Sequence, residues 1–223
     1  MAFSSLLIAG SFVVSAIIEG GGRKRKRKNI FEEEKDEKKN NTLTLRNLKE
    51  LNPESVLKVS NIIYNSNNPN SCFYEKFKNK LELTNEDFKE TMNMIYNNES
   101  PFPENREVNC YVMFDQDTII GTFKLGTLRK DSSTTELFNV CISKQFQGRK
   151  DANGIKYSKH LRRLIVDLLD KLDQHCILEV DKDNDLFDLL VYIYTGMGFK
   201  TIKDSKDKIV MKRLKKRRTR RRR

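Results

Sequence analysis

Residues 145–161, QFQGRKDANGIKYSKHL, place Gly148 and Gly154 among Arg149, Lys150, Lys156 and Lys159, just ahead of an apolar helical pattern. Glycine lets a backbone turn sharply and pass close to a ligand. A helix N-terminus offers unpaired N–H groups and the positive end of its dipole to an anion. Lysine and arginine add charge-assisted hydrogen bonds. The same composition also suits a solvated surface loop, so two readings stand open: a phosphate-holding loop, and a charged turn. Other reactive types are sparse. Cys72, Cys110, Cys141 and Cys176 form no close pair, and with only His160 and His175 beside them no metal site is expected. The chain is too long and too poor in cysteine for a disulfide framework, so four reduced thiols in a cytosol-like compartment are expected.

The elements that must position this loop can be read from periodicity. Alternation in TLTLRNL (residues 42–48) predicts a strand. Pro53 opens a helical pattern with Val56, Val59, Ile62 and Ile63 on one face. A turn-rich break at 65–71, a short helix at 71–80 and a capped helix at 84–96 follow. Then VNCYVMF and TIIGTFKLGTL, joined by DQD, predict a hairpin, and TTELFNVCIS a third strand. After the basic loop, Leu161, Leu164, Ile165, Leu168, Leu169 and Leu172 form a helical stripe. CILEV is a short buried strand, 186–194 an apolar helix ending at GMGF, and IVMKRL a last strand. A strand following a crossover helix is expected parallel to its predecessor, which makes the class mixed α/β.

The net charge of +12 belongs to the ends of the chain. RKRKRK at 23–28 and KRLKKRRTRRRR at 212–223 hold 16 of the 43 basic residues, leaving 27 basic against 31 acidic elsewhere. The organisation expected is an apolar segment at 1–22, a charged linker at 23–41, one folded domain at 42–214 and an Arg-rich tail at 215–223. Residues 2–18 carry no charge and are followed by the basic run, an order that suits a membrane anchor with its flank on the cytoplasmic side. A peripheral or partner-bound segment and a signal sequence are the alternatives. The basic runs suit an anionic partner, nucleic acid or anionic lipid, or a nuclear signal. The chain is expected to face the cytosol, membrane-anchored, with a nuclear location as the alternative.

The second half, from about Val108 to Leu214, resembles the GNAT superfamily of acetyl-CoA-dependent N-acetyltransferases. DQDTIIG looks like the family's second and third strands, with Gly121 after the turn. ELFNVCIS is similar to its donor-binding strand, and QFQGR stands at its glycine loop. LEVDKDN followed by YTGMGF looks like its last motif. The resemblance implies a twisted, mostly antiparallel sheet with flanking helices and a splayed parallel strand pair. It implies acetyl-CoA as donor, a primary amine as acceptor (on a protein, a polyamine or a small molecule), and no metal. Glu136 matches the general base of some members and Tyr194 the general acid. A phenol with an ordinary pKa of about 10 carries its proton at neutral pH. Val140, Cys141 and Ile142 would pair with the pantetheine arm. Gln147, Gly148, Arg149, Lys150, Gly154, Lys156 and Ser158 would hold the diphosphate, and Asn184 would contact the arm.

Beside each role stands a plain one: a surface glutamate at a strand start, a core tyrosine with Tyr192 as neighbour, a turn asparagine. The sequence also departs from the pattern. Lys156 and Ser158 stand where glycines are expected, and residues 150–155 look like an insertion. A catalytically degenerate GNAT fold, serving as a membrane-tethered or polyanion-binding module, is the alternative to the enzyme.

Overall fold

The computed structural model describes residues 43–59, 61–62 and 105–215. The expected helices at 71–80 and 84–96, the apolar segment at 2–18, the charged linker and the Arg-rich tail beyond Lys215 lie outside the described residues. Among the described residues no helix is long and apolar enough to cross a membrane.

The sheet has seven strands: β1 (Leu43–Asn47), β2 (Asn105–Asp115), β3 (Thr118–Leu128), β4 (Thr134–Ile142), β5 (His175–Asp181), β6 (Lys200–Asp204) and β7 (Lys208–Arg213). Their order is β1-β2-β3-β4-β5-β7-β6, and every pair is antiparallel except β4–β5. The mixed α/β architecture is therefore the one expected. Among the described residues three helices flank the sheet: α1 (Pro53–Val59), α2 (Tyr157–Leu172) and α3 (Phe187–Gly196). Asn52 caps α1 by accepting the Ser55 N–H at 2.8 Å, and Pro53 occupies the first helical position, where its missing N–H costs nothing.

Strand alternation separates two cores. Leu48, Leu51 and Val59 pack with Cys110, Val112, Phe114, Ile119 and Cys141 on the α1 face. Phe123, Val140, Ile142, Leu178 and Met211 pack against α2 and α3 on the other. Within the α2 stripe Leu161, Ile165 and Leu169 are buried, whereas Leu172 at its end is exposed. Burying each of those three contributes about 1.5–3 kcal/mol, enough to fix which face of α2 meets the sheet. Arg213 ties both helices to β7, donating to Asp170 of α2 at 2.5 Å and to the Met197 carbonyl after α3 at 3.0 Å.

Two expectations change. β6 was not foreseen, because every residue in it is exposed and KTIKD has no apolar alternation to betray an edge strand. Cys141 is disulfide-bonded rather than free. Among the described residues Cys110 and Cys176 are free, and both are buried. Spacing along the chain does not reveal which thiols the fold brings together.

Candidate active site

β4 is distorted where it meets β3. Between Thr122↔Cys141 and Lys124↔Phe138 it takes one more residue than its partner, and Asn139 adopts φ 51°. This is a β-bulge, a device that bends a strand and re-aims its side chains. Just beyond it, a Cβ on Gly121 would lie 2.4 Å from the Cys141 carbonyl oxygen, so only glycine permits this approach of β3 to β4.

On its other edge β4 pairs with β5 at only three positions, Thr134↔His175, Thr135↔Cys176 and Glu136↔Ile177. β5 continues along β7 as far as Asp181↔Lys208. The ladder between β4 and β5 thus ends before Leu137. The two strands part in a V, and an amide-rich ligand can pair with such an edge. Val140 and Ile142 turn their side chains into the α2 core, while Cys141 faces α1.

Past the open edge comes the basic loop. A 3-10 turn at Lys144–Phe146 leads to Gln147, whose side-chain amide donates to the Ile142 carbonyl at 3.0 Å. Gly148 takes φ 72°, a left-handed turn suited to glycine. The Tyr157 N–H then donates to the Arg149 carbonyl at 3.2 Å, and Lys150 and Lys156 form an antiparallel bridge. Residues 150–156 therefore leave and return at one point, and Gly148 and Arg149 sit beside the start of α2 despite the excursion. Gly154, at φ 81°, turns the tip of the excursion. Its base rests on buried polar contacts. Asp151 accepts N–H groups from Asn153 and Ile155 at 2.9 and 2.8 Å and pairs with His160 Nε2 at 3.0 Å. Burial pushes its carboxyl up, but the hydrogen bonds from Ile155 and His160 outweigh that and hold it below the usual carboxylate range.

The first turn of α2 is partly used internally. The Tyr157 N–H is taken by Arg149 as above, and the Lys159 N–H donates to the Lys156 carbonyl at 2.9 Å. Lys156 is the N-cap and makes no side-chain cap bond; Ser158 is buried. The Tyr157 hydroxyl donates to Asp115 at 2.6 Å, which pins the α2 start to the β2–β3 hairpin. Burial, then that hydrogen bond, raises the phenol to about 12.

Glu136 occupies the last rung before the V and is 8% exposed. Alternation sets it on the face opposite Leu137, the α1 face. Tyr194 approaches from the other face: it lies in α3, 3% exposed, edge-on to Phe199 at 5.9 Å between ring centroids. Burial drives its phenol well above the usual range, and the Cys176 sulfur adds to the push. Cys176 feels Glu136 as well, so the three groups share the neighbourhood where β4 and β5 part. Tyr192, the alternative, is 57% exposed and points away from that core. Asn184 is a turn residue: its Oδ1 accepts the Leu186 N–H at 2.9 Å and its carbonyl the Phe187 N–H at 2.8 Å, which starts α3.

Sequence reasoning brought together the strand, the loop and Tyr194. It missed Asp151, His160, Cys176 and Lys124, which is buried on β3 opposite Phe138. The DANG tetrapeptide was the available signal for Asp151, since aspartate readily caps a turn closed by glycine. Nothing local signals Cys176. Among the described residues no group of three or more His, Cys, Asp or Glu is arranged to hold a metal ion.

No protein family and no curated protein matches the sequence. Solved structures do match in fold. An acetyltransferase from Thermus thermophilus superposes with a TM-score of 0.53 at 15% identity, covering 77% of this chain and 96% of that one. The PaiA N-acetyltransferase from Thermoplasma acidophilum, in complex with coenzyme A, gives 0.50 at 15% identity over 77% and 98%. A chimera of the spermidine N-acetyltransferase SpeG from Vibrio cholerae and hSSAT gives 0.50 at 20% identity over 78% and 96%. At such identities the likeness speaks for architecture: the chain has the fold of the GNAT N-acetyltransferases.

Proposed function

We propose that this chain is an N-acetyltransferase, moving an acetyl group from acetyl-CoA to a primary amine by direct attack in a ternary complex. The observation that carries this reading is the parting of β4 from β5 after Glu136↔Ile177, next to a loop that turns at Gly148 under three basic residues. When bound, acetyl-CoA supplies an activated acetyl thioester. Val140, Cys141 and Ile142 would offer backbone groups to its amide-rich arm, which Asn184 would also contact. Gln147, Gly148, Arg149, Lys150, Lys156 and Ser158, with Gly154 shaping the excursion, are the residues that would face the diphosphate. Glu136 accepts a proton from the amine. Tyr194 keeps its Oη proton across the neutral range, because burial holds its phenol high, and is suited to give that proton to the leaving sulfur. These residues fit the donor along β4 and at Gly148. They contest it at the start of α2, where two N–H groups are engaged.

The acceptor is an amine on a protein, a polyamine or a small molecule. One structure sharing the fold derives from a spermidine N-acetyltransferase, which supports a basic acceptor. The mildly acidic composition between the basic runs supports it too.

The engaged Tyr157 and Lys159 N–H groups favour a second reading, a degenerate GNAT fold acting as an interaction module. Calorimetric titration of the full chain with acetyl-CoA separates the two. Binding is expected; no heat at millimolar donor sinks the enzyme. Anchoring through residues 2–18 with the domain facing the cytosol, and contact of the basic runs with nucleic acid or anionic lipid, are further proposals. Recovery of the chain in the soluble fraction after alkaline carbonate extraction would overturn the anchor.

A further inference from the structure

The excursion at residues 150–156 poses a mechanical problem. A loop that must present backbone to a diphosphate gains from rigidity, yet here an excursion interrupts it, and Ala152, Asn153 and Gly154 at the tip are exposed. Fixing each such residue costs about 1–2 kcal/mol of backbone entropy, and no buried apolar side chain at the tip offsets that. The polar contacts converge instead on one side chain. Asp151 Oδ1 accepts the Asn153 and Ile155 N–H groups, and its Oδ2 meets His160 Nε2 one turn into α2. The side chains of Asp151 and His160 are 6% and 5% exposed. The Asp151 backbone closes the same ring: its N–H donates to the Ile155 carbonyl at 2.8 Å and its carbonyl accepts the Gly154 N–H at 3.0 Å. Just outside this ring lie the Lys150–Lys156 bridge and the Tyr157 to Arg149 bond, which set Gly148 beside α2.

We infer that Asp151 is a positioning residue for the donor's diphosphate: through His160 and the excursion's own N–H groups it locks the inserted loop to α2. It thereby performs with a side chain the ordering that a short glycine turn performs with backbone. The inference rests on the acetyltransferase reading and deepens it. Asp151 touches no part of the donor. Its carboxylate is turned inward onto His160 and two N–H groups, which leaves the basic side chains of the loop to meet an anion.

Two donors test this in the full chain. Acetyl-CoA carries the diphosphate, whereas S-acetylpantetheine shares the arm and thioester but lacks it. In Asp151→Ala the dissociation constant for CoA, measured by calorimetry, is expected to rise about 10- to 100-fold, the scale of losing a charge-assisted network. KM for acetyl-CoA should follow, with kcat at saturation and kcat/KM for S-acetylpantetheine changing less than about threefold on the same scale. Asp151→Asn keeps one accepting oxygen for the two N–H groups and should recover part of the affinity. Amide exchange at Asn153 and Ile155 should accelerate in the alanine variant, which is a readout free of any donor. Wild-type chain that binds no CoA overturns the acetyltransferase reading. Wild type that binds while Asp151→Ala binds equally well overturns only the inference. Equal losses on both donors also overturn it, since they would make Asp151 a fold residue.

Discussion

Between β4 and α2 the chain keeps its shape largely with side chains; between α3 and β6 the turn closes on backbone, with Arg213 Nε on the Met197 carbonyl as its side-chain support among the described residues. In the first region Gln147 holds the Ile142 carbonyl, Asp151 gathers two N–H groups and His160, and Tyr157 is tied to Asp115. In the second, the Met197 and Phe199 N–H groups both return to the Tyr194 carbonyl at 3.0 Å, and Gly198 closes the turn at φ 90°. A backbone-closed turn depends on one permissive residue and tolerates little change there. A turn closed by side chains can be lengthened and rebuilt, provided the new residues bring their own partners. That difference explains how residues 150–155 can extend the basic loop without pulling it from its helix, while the segment carrying Tyr194 keeps a compact Gly-Phe ending.

The comparison can be broken most sharply at Tyr194. Tyr194→Phe leaves the ring against Phe199 and removes only the hydroxyl, so kcat should fall about 100-fold or more with little change in CoA affinity. Steady-state kinetics beside calorimetry decides it, and unchanged turnover would remove Tyr194 from the acid role.

The next effect concerns β3, the neighbour of β4. Burial depresses the Lys124 ammonium to about 8 from its ordinary 10.5. The unfolded chain therefore binds the extra proton between those values, and wild-type stability should rise with pH from about 8 to about 10.5. Below that window the buried charge is a cost. Lys124→Met should stabilise at pH 7 by about 2 kcal/mol and flatten the slope. Chemical denaturation across that range measures both, and a variant with the wild-type pH slope would contradict the account.

A smaller effect sharpens the backbone side of the comparison. A Cβ on Gly198 meets Arg213 Nε at an ordinary 3.5 Å, so space is available and only the left-handed backbone resists. Gly198→Ala should cost about 1–2 kcal/mol in thermal unfolding. A neutral result would mean that the turn relaxes away from φ 90° without loss.

Much of the fold was legible in the residues. Period-two runs gave β1 to β4, the leucine stripe gave α2, and GMGF marked the end of α3, because these patterns record which face each element buries. β6 escaped because an exposed edge strand buries nothing and so leaves no pattern. The candidate site divides the same way. Gly148 and the basic residues announce a loop that can turn and attract an anion, since those properties belong to single residues. Asp151 with His160, Cys176 between Glu136 and Tyr194, and the bond on Cys141 belong to pairs far apart in sequence or hidden by an insertion.

By itself the sequence determined β1 to β5, β7, α2 and α3, their order and the residue types at the loop, because hydrophobic period and turn chemistry are local. Tertiary structure alone decided where β4 leaves β5, that residues 150–156 close on themselves, and that Tyr194 is buried while Tyr192 is not. Those outcomes depend on register, on which hydrogen bonds are already taken and on what each side chain is packed against, and each is set between elements rather than within one.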